Sequence, residues 1–174
     1  MRLKIGDKAV DFNLPSTDGE KYSLDNFKDK LIAVIFTCNH CPYAQAYEDR
    51  IKKLQEEFKD DLQIIAINSN DSEGYPEDSF ENMKIKHKES NFNFPYLRDK
   101  TQEVAKAYGA EVTPDVFLFD KNRKLVYRGR IDDNWEHSND VIQQDLKKAI
   151  SETLQDRKVM KEEERAIGCS IKWK

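Results

Sequence analysis

The feature that most constrains this chain is a pair of cysteines, Cys38 and Cys41, between two segments of different periodicity. Residues 31–37 form an apolar run rich in β-branched side chains, which predicts a buried strand. From residue 42 to about 59 apolar side chains recur at helical spacing, and Pro42 suits a first helical turn because no N–H is needed there. Backbone N–H groups at a helix start stabilise a thiolate and lower its pKa. The arrangement therefore predicts thiols that make and break a disulfide.

The order of the remaining elements predicts one α/β domain. The 174 residues are enough for one domain with a substantial core. A strand–helix–strand–helix order, followed by two strands and a helix, predicts a central mixed sheet flanked by helices. We expect N-terminal extended pieces at 11–14 and 21–24, strands at 31–37, 62–67, 116–119 and 124–127, and helices at 42–59, 77–90, 101–108 and 139–155. We assign residues 1–158 to the domain and 159–174 to a C-terminal extension.

Composition and charge exclude several classes of protein. The 29 Lys and Arg residues against 33 Asp and Glu residues give a net charge of −4, which argues against nucleic-acid binding. No apolar run approaches the ~20 residues that span a bilayer. The first residues lack the apolar segment of a secretory signal, so we expect a cytoplasmic protein. Three cysteines are too few for a disulfide scaffold, and without a second CxxC or an HxxxH we expect no metal and no cofactor.

Several short motifs resemble those of one protein family. They are GDKAVDF at 6–12, TCNHCPY at 37–43, VTP at 112–114, VFLFD at 116–120, GRID at 129–132 and the ending GCSIKWK at 168–174. Over about residues 3–155 the chain is similar to the thioredoxin-fold superfamily, in its redoxin branch of thiol–disulfide oxidoreductases and AhpC/TSA-like peroxiredoxins. The resemblance implies a thioredoxin-like fold with an N-terminal β extension and a C-terminal tail.

The resemblance also implies roles for individual residues. Cys38 would be the exposed nucleophile, and Cys41 would be the more buried resolving thiol. Pro114 would be a cis-proline beside the disulfide, and the backbone of Thr113 would pair with an incoming substrate strand. His40 would help to lower the pKa of the nucleophile, so that Cys38 would be mostly thiolate at neutral pH. Thr37 and Pro42, which flank the two cysteines, would contact the substrate together with Thr113.

The chain also departs from its family. Thr37 stands where ordinary thioredoxins have tryptophan, and the preceding strand is wholly apolar where they carry a buried aspartate. The base for Cys41 is therefore open, with Asp71 as a weak candidate. Peroxiredoxins have Thr or Ser three residues before the reactive cysteine, whereas this chain has Ile35 before Cys38. The peroxidase signature is absent.

Four residues each have both a functional and a structural interpretation. Cys169 is either a third redox thiol that folds back toward the CxxC pair or a lone packed thiol, and the sequence favours the second because single free cysteines are usually just packed. His40 is either a tuning residue or an exposed polar residue. Pro114 could also be an ordinary trans residue at a strand start. Arg130 could guide an anionic substrate, although a strand-end arginine is more often surface charge.

Three functions follow from these residues. The first is a thiol–disulfide oxidoreductase whose partners are a protein or small-molecule disulfide and a cellular thiol reductant. The second is a peroxiredoxin-like thiol peroxidase. The third is a non-enzymatic redox sensor or binding module. We expect neither nucleic acid nor membrane as a partner.

Overall fold

Ten short or medium strands and four α-helices form the fold, and the computed structural model describes residues 1–174. The strands are β1 Leu14–Pro15, β2 Lys21–Tyr22, β3 Leu31–Phe36, β4 Leu62–Asn68, β5 Tyr96–Arg98, β6 Val112–Thr113, β7 Asp115–Phe119, β8 Leu125–Gly129, β9 Glu163–Glu164 and β10 Cys169–Ser170. The helices are α1 Pro42–Glu57, α2 Phe80–Ser90, α3 Glu103–Tyr108 and α4 Asp145–Leu154.

The central sheet has six strands in the order β5-β4-β3-β7-β8-β9. Strands β3, β4 and β5 are parallel, β7 runs antiparallel to both β3 and β8, and β9 lies parallel to β8 at the edge. The sheet is therefore mixed, as predicted, and its topology is that of the thioredoxin-like fold. The short β1–β2 hairpin is the predicted N-terminal β extension.

Strand β3 lies at the centre of the molecule because both of its faces are buried. Its odd-numbered residues pack into a cluster with the buried faces of α1 and α4, and its even-numbered residues pack with α3 on the other side. All six residues of β3 are at most 2 % exposed. Burying one aliphatic or aromatic side chain contributes about 1.5–3 kcal/mol, so the strand end that carries the cysteines is held by packing on two sides.

Some elements differ from the predictions. Strand β5 was not predicted, because three residues after Pro95 are too few to show periodicity and the strand forms only by pairing with β4. The last helix begins at Asp145 rather than at residue 139. Its expected first residues instead bond to Asp133, whose N–H donates to the Gln143 carbonyl and whose carboxylate accepts from the Ile142 N–H.

The C-terminal residues 159–174 contribute to the sheet and to the core. Strand β9 extends the central sheet, and β10 pairs antiparallel with β6. Val159 and Ile171 are 5 % and 3 % exposed, and each belongs to one of the two hydrophobic clusters. The tail therefore lies against the domain, next to the strand that precedes Pro114.

Candidate active site

The two cysteines lie where the sequence predicts, between the end of β3 and the start of α1. Cys41 has extended backbone angles and is the N-terminal cap of α1, and Pro42 is the first helical residue. Both thiols are free and buried, with exposed fractions of 3 % for Cys38 and 1 % for Cys41. The expectation of an exposed Cys38 is wrong, because its side chain packs beneath neighbouring residues.

Thr113 contacts both sulfurs. Its hydroxyl oxygen lies 3.4 Å from Sγ of Cys38, and its carbonyl oxygen lies 3.5 Å from Sγ of Cys41. The Thr113–Pro114 peptide bond is cis, as expected from the resemblance. The residues VTP thus reach the dithiol although more than 70 positions separate them in the chain.

The two other residues expected to contact the substrate differ in accessibility. Thr37 is buried, and its backbone N–H continues the pairing with β4 by donating to the Ile67 carbonyl. Pro42 is exposed on the first turn of α1. Of these two residues, only Pro42 presents its side chain to an incoming molecule.

The environments of the two thiols are unequal. A hydrogen bond from the Cys38 thiol lowers the pKa of Cys41 against the opposing effect of burial, and the Cys169 thiol and the backbone N–H groups of Ala44 and Cys169 lower it further. The same hydrogen bond to Cys41, together with burial and the negative charge of Asp78, raises the pKa of Cys38. Negative charge in the reduced site is therefore favoured on Cys41, the reverse of the order that the resemblance implies.

His40 lies beside a buried carboxylate that the sequence interpretation missed. Its Nδ1 is 2.8 Å from Oδ2 of Asp78, and its Nε2 is 3.7 Å from Oε1 of Glu77. Nδ1 is buried, and the ring orientation gives it no hydrogen bond of good geometry, so Nδ1 is close to the Asp78 carboxylate without being hydrogen-bonded to it. The His40 side chain keeps 34 % of its surface exposed.

Asp78 is fully buried and is held by amide groups. Its carboxylate accepts hydrogen bonds from the Asn39 backbone N–H at 2.8 Å and from the side-chain amides of Asn68 at 3.0 Å and Asn70 at 2.9 Å. The candidate base Asp71 instead closes a turn, where its carboxylate accepts the N–H groups of the two residues at 73 and 74.

A signal for the Asp78 network is visible in the sequence. Strands β3 and β4 are parallel, so the polar residues that follow β4 reach the same edge of the sheet as the CxxC segment. Asn68, the last residue of β4, and Asn70, two residues further on, are such polar residues. Asn39 is tied in from the other side, because the hydroxyl of Tyr96 donates to its side-chain oxygen at 2.7 Å.

Three side chains of the site could hold a metal ion. A sulfur of Cys38, a ring nitrogen of His40 and a carboxylate oxygen of Asp78 lie within 4.8 Å of one another. Zinc accepts all three ligand types, but structural zinc sites have four protein ligands. The set is therefore one ligand short of a closed structural site.

Arg130 is engaged in ion pairs. Its Nε donates to Oδ2 of Asp145 at 2.7 Å, and its guanidinium lies 3.9 Å from Glu164. These contacts connect the end of β8 with α4 and β9. The structure therefore favours a structural role for Arg130 over the guidance of an anionic substrate.

Cys169 lies next to Cys41. Strand β10 places Cys169 opposite Thr113 in the antiparallel register, and its side chain packs against the Cys38–Cys41 cluster. The tail thus folds back toward the CxxC pair, although the sequence favoured a lone packed thiol.

No helix of the structure is both long enough and apolar enough to cross a membrane.

A CxxC pair at a helix start, beside a cis-proline and on a thioredoxin-like sheet, is the arrangement of the thioredoxin-fold superfamily. Residues 5–128 match the model of the AhpC/TSA family. The chain therefore belongs to the AhpC/TSA family, in agreement with the redoxin resemblance.

Three relatives illustrate this membership. An uncharacterised conserved protein from Geobacillus kaustophilus has a crystal structure with a TM-score of 0.93 and 40 % identity, covering 98 % of this chain and 93 % of that one. The thiol-disulfide oxidoreductase ResA of Halalkalibacterium halodurans is 27 % identical over 124 residues, or 71 % of this chain and 66 % of the relative. A Mycobacterium tuberculosis protein, provisionally named a peroxiredoxin, is 30 % identical over 109 residues, or 63 % of this chain and 66 % of the relative. The matched segments span slightly less than two thirds of these two curated relatives.

Proposed function

We propose that the protein is a thiol–disulfide oxidoreductase that alternates between a Cys38–Cys41 dithiol and a disulfide. The observation that carries this proposal is the contact of both free thiols with each other and with Thr113, at the start of α1. Similarity to a protein named thiol-disulfide oxidoreductase supports it. The substrate is a protein or small-molecule disulfide, and no metal or organic cofactor takes part.

We assign the first attack to Cys38. Of the two CxxC thiols, Cys38 is the less buried, with 3 % exposed against 1 % for Cys41, and Cys169 packs against the pair from the tail. A substrate therefore reaches Cys38 before Cys41. The Cys41 thiolate can take the proton of Cys38 along the hydrogen bond between the two sulfurs. Cys41 thus activates the nucleophile before it acts as the resolving thiol.

The reaction then runs in two exchange steps. Sγ of Cys38 bonds to one substrate sulfur, and the other substrate sulfur leaves as a thiolate. Sγ of Cys41 next attacks Sγ of Cys38, the Cys38–Cys41 disulfide forms, and the second substrate sulfur leaves and takes up the proton. Two electrons pass from the dithiol to the substrate. A cellular thiol reductant returns them, and we place this cycle in the cytoplasm, where such reductants keep thiols reduced.

The roles can be tested by insulin reduction. We expect Cys38→Ser to abolish turnover and Cys41→Ser to accumulate a mixed disulfide between Cys38 and the substrate. Unchanged turnover in Cys38→Ser would contradict the proposal. A mixed disulfide trapped on Cys41 in the Cys38→Ser variant would reverse the two roles.

A thiol peroxidase is the second candidate, and one contact favours it. The hydroxyl of Thr113 lies 3.4 Å from Sγ of Cys38 and could take the place of the missing Thr or Ser at position 35. Consumption of hydrogen peroxide with a dithiol donor separates the two functions. We expect slow peroxide turnover beside efficient insulin reduction, and the opposite ratio would favour the peroxidase. Reversible titration of the dithiol without turnover of any substrate would instead indicate a sensor or binding module.

A further inference from the structure

The C-terminal tail is fastened to the domain by the residues that follow Cys169. The Ile171 N–H donates to the Glu111 carbonyl at 3.0 Å, and the Lys172 N–H donates to the side chain of Asn70 at 3.0 Å. The side-chain amide of Gln102 donates to the Lys172 carbonyl at 2.8 Å, and the Ile171 side chain is buried in the core. These contacts hold Cys169 at a defined position.

Gly168 lets the tail approach the strand beside Pro114 closely. A Cβ atom on Gly168 would lie 2.1 Å from the Thr113 carbonyl oxygen, a distance that no side chain can occupy. Glycine therefore permits the antiparallel pairing of β10 with β6, in which Cys169 lies opposite Thr113. The chain's own tail thus occupies the edge of β6, next to the dithiol.

The three sulfurs of the chain meet at this point. Cys169 packs against the cluster of Cys38 and Cys41, and it lies opposite Thr113, whose carbonyl oxygen is 3.5 Å from Sγ of Cys41. Cys38 and Cys41 are buried, whereas Cys169 is partly exposed. Cys169 is therefore the most accessible sulfur of the cluster.

We propose that Cys169 is a third redox-active thiol, which takes over the disulfide from the buried pair as a Cys41–Cys169 bond. The inference rests on the proposed function, because a substrate disulfide must first oxidise the Cys38–Cys41 pair. Sγ of Cys169 then attacks Sγ of Cys41, the Cys41–Cys169 bond forms, and the Cys38–Cys41 bond breaks. Cys38 leaves as a thiolate and takes up the proton that Cys169 lost, so no electrons are gained or lost in this step.

The exchange has two consequences for the site. It moves the disulfide from two buried sulfurs to a pair whose outer member a thiol reductant can reach. It also links β10 covalently to the start of α1, so the tail stays on the β6 edge until the reductant releases it.

The connectivity can be measured by tryptic mapping of the full chain after oxidation with excess oxidised glutathione, with free thiols blocked before digestion. Cys38 and Cys41 lie on one tryptic peptide, residues 31–50, and Cys169 lies on another, residues 166–172. We expect a linked pair of these peptides in the wild type and its loss in Cys41→Ser. In Cys38→Ser the link should still form, because glutathione bound to Cys41 replaces Cys38 as the leaving thiol. An internal disulfide in 31–50 as the only product, with Cys169 blocked as fast as in the reduced protein, would overturn the inference.

Two further variants test whether the link depends on the position of Cys169 or only on the presence of its thiol. Gly168→Ala keeps all three cysteines but pushes β10 away from Thr113, so we expect the linked pair to be lost while the internal disulfide still forms. Ser170→Ala is the matched control on the other side of Cys169, where the side chain is exposed, and it should retain the link. Equal linkage in both variants would contradict a positioned Cys169.

The outcome is distinguishable from failure of the proposed function. A linked pair without insulin reduction would overturn the reductase while leaving the third thiol in place. Normal insulin reduction without a linked pair would overturn only the role of Cys169.

Discussion

Two aspartates near the dithiol are equally buried but differ in what balances their charge. Asp115, directly after Pro114, is fully buried and receives both arms of the Arg2 guanidinium, at 2.9 and 3.0 Å. Asp78 is also fully buried, but it receives uncharged amides and a half-exposed histidine. An arginine stays charged at every working pH, so the charge of Asp115 is permanently balanced.

The comparison shows how one residue type serves two purposes. Asp115 ties Arg2, the second residue of the chain, to strand β7, and the Arg2 guanidinium balances its charge. No arginine or lysine forms a salt bridge with Asp78, and the nearby Arg98 guanidinium acts on it only through space. The charge of Asp78 also acts on Cys38 by raising the pKa of that thiol. We therefore interpret Asp115 as a structural residue and Asp78 as a residue that sets the chemistry of the dithiol.

The largest effect that would test this comparison is on stability. Arg2→Met leaves Asp115 buried without its cation, and we expect a loss of about 3 kcal/mol in the free energy of unfolding, at the lower end for a broken buried pair because Arg2 is partly exposed. Chemical denaturation at neutral pH measures it. Arg2→Lys keeps the charge without the two-armed contact and should lose less.

The same variant should show a pH dependence of defined sign. Burial raises the pKa of Asp115 above its ordinary value of 3.8 although Arg2 opposes the shift, so removing Arg2 raises it further. A carboxyl group whose folded-state pKa is raised binds its proton more tightly in the folded protein, so stability falls as the pH rises through that pKa. We expect the destabilisation by Arg2→Met to be smaller at acid than at neutral pH, and a constant difference would contradict the assignment.

The next effect is on the thiols. Asp78→Asn removes the charge but keeps the shape, so we expect a lower pKa for Cys38 and faster alkylation of the dithiol at neutral pH. Since an amide offers one acceptor oxygen where the carboxylate offers two, we also expect a loss of about 1–2 kcal/mol in unfolding free energy. The rate of alkylation against pH gives the first result, and chemical denaturation gives the second.

Asp115→Asn is the matched control, because it makes the same change at the other buried carboxylate. It should lower stability and leave the alkylation profile of Cys38 where it is in the wild type. If both variants shift that profile equally, the distinction between the two aspartates is wrong.

The smallest effect concerns His40. His40→Gln removes a partly exposed side chain whose contact with Asp78 lacks hydrogen-bond geometry, so we expect stability to change by less than about 1 kcal/mol. Insulin reduction should slow by no more than about tenfold, equivalent to 1.4 kcal/mol. An unchanged rate would place His40 outside the site's chemistry and favour its interpretation as an exposed polar residue.

The elements that the sequence predicted well are those whose pattern is local. The apolar runs of β3 and β4 and the helical spacing of α1 depend on neighbouring residues only, and the structure confirms them within two residues at each end. Strand β5 and the start of α4 were missed because each depends on a distant partner, β4 in one case and Asp133 in the other.

The same contrast, between features set by neighbouring residues and features set by distant ones, applies to the candidate site. The placement of the dithiol follows from the sequence, and the cis bond before Pro114 follows from the family resemblance. Asp78 could not be chosen over Asp71, since both lie in one polar segment and only the folded chain shows which carboxylate is buried against His40.

By itself, the sequence determined that two thiols lie between a buried strand and a helix start, because strand and helix periodicity are properties of neighbouring residues. Only the tertiary structure decided which sulfur favours the negative charge and which residues surround it. Those outcomes depend on Asp78 and Cys169, which reach the cysteines through pairing of parallel strands and of β10 with β6. Charge and burial act through space, so contacts that bring distant parts of the chain together set the chemistry of this site.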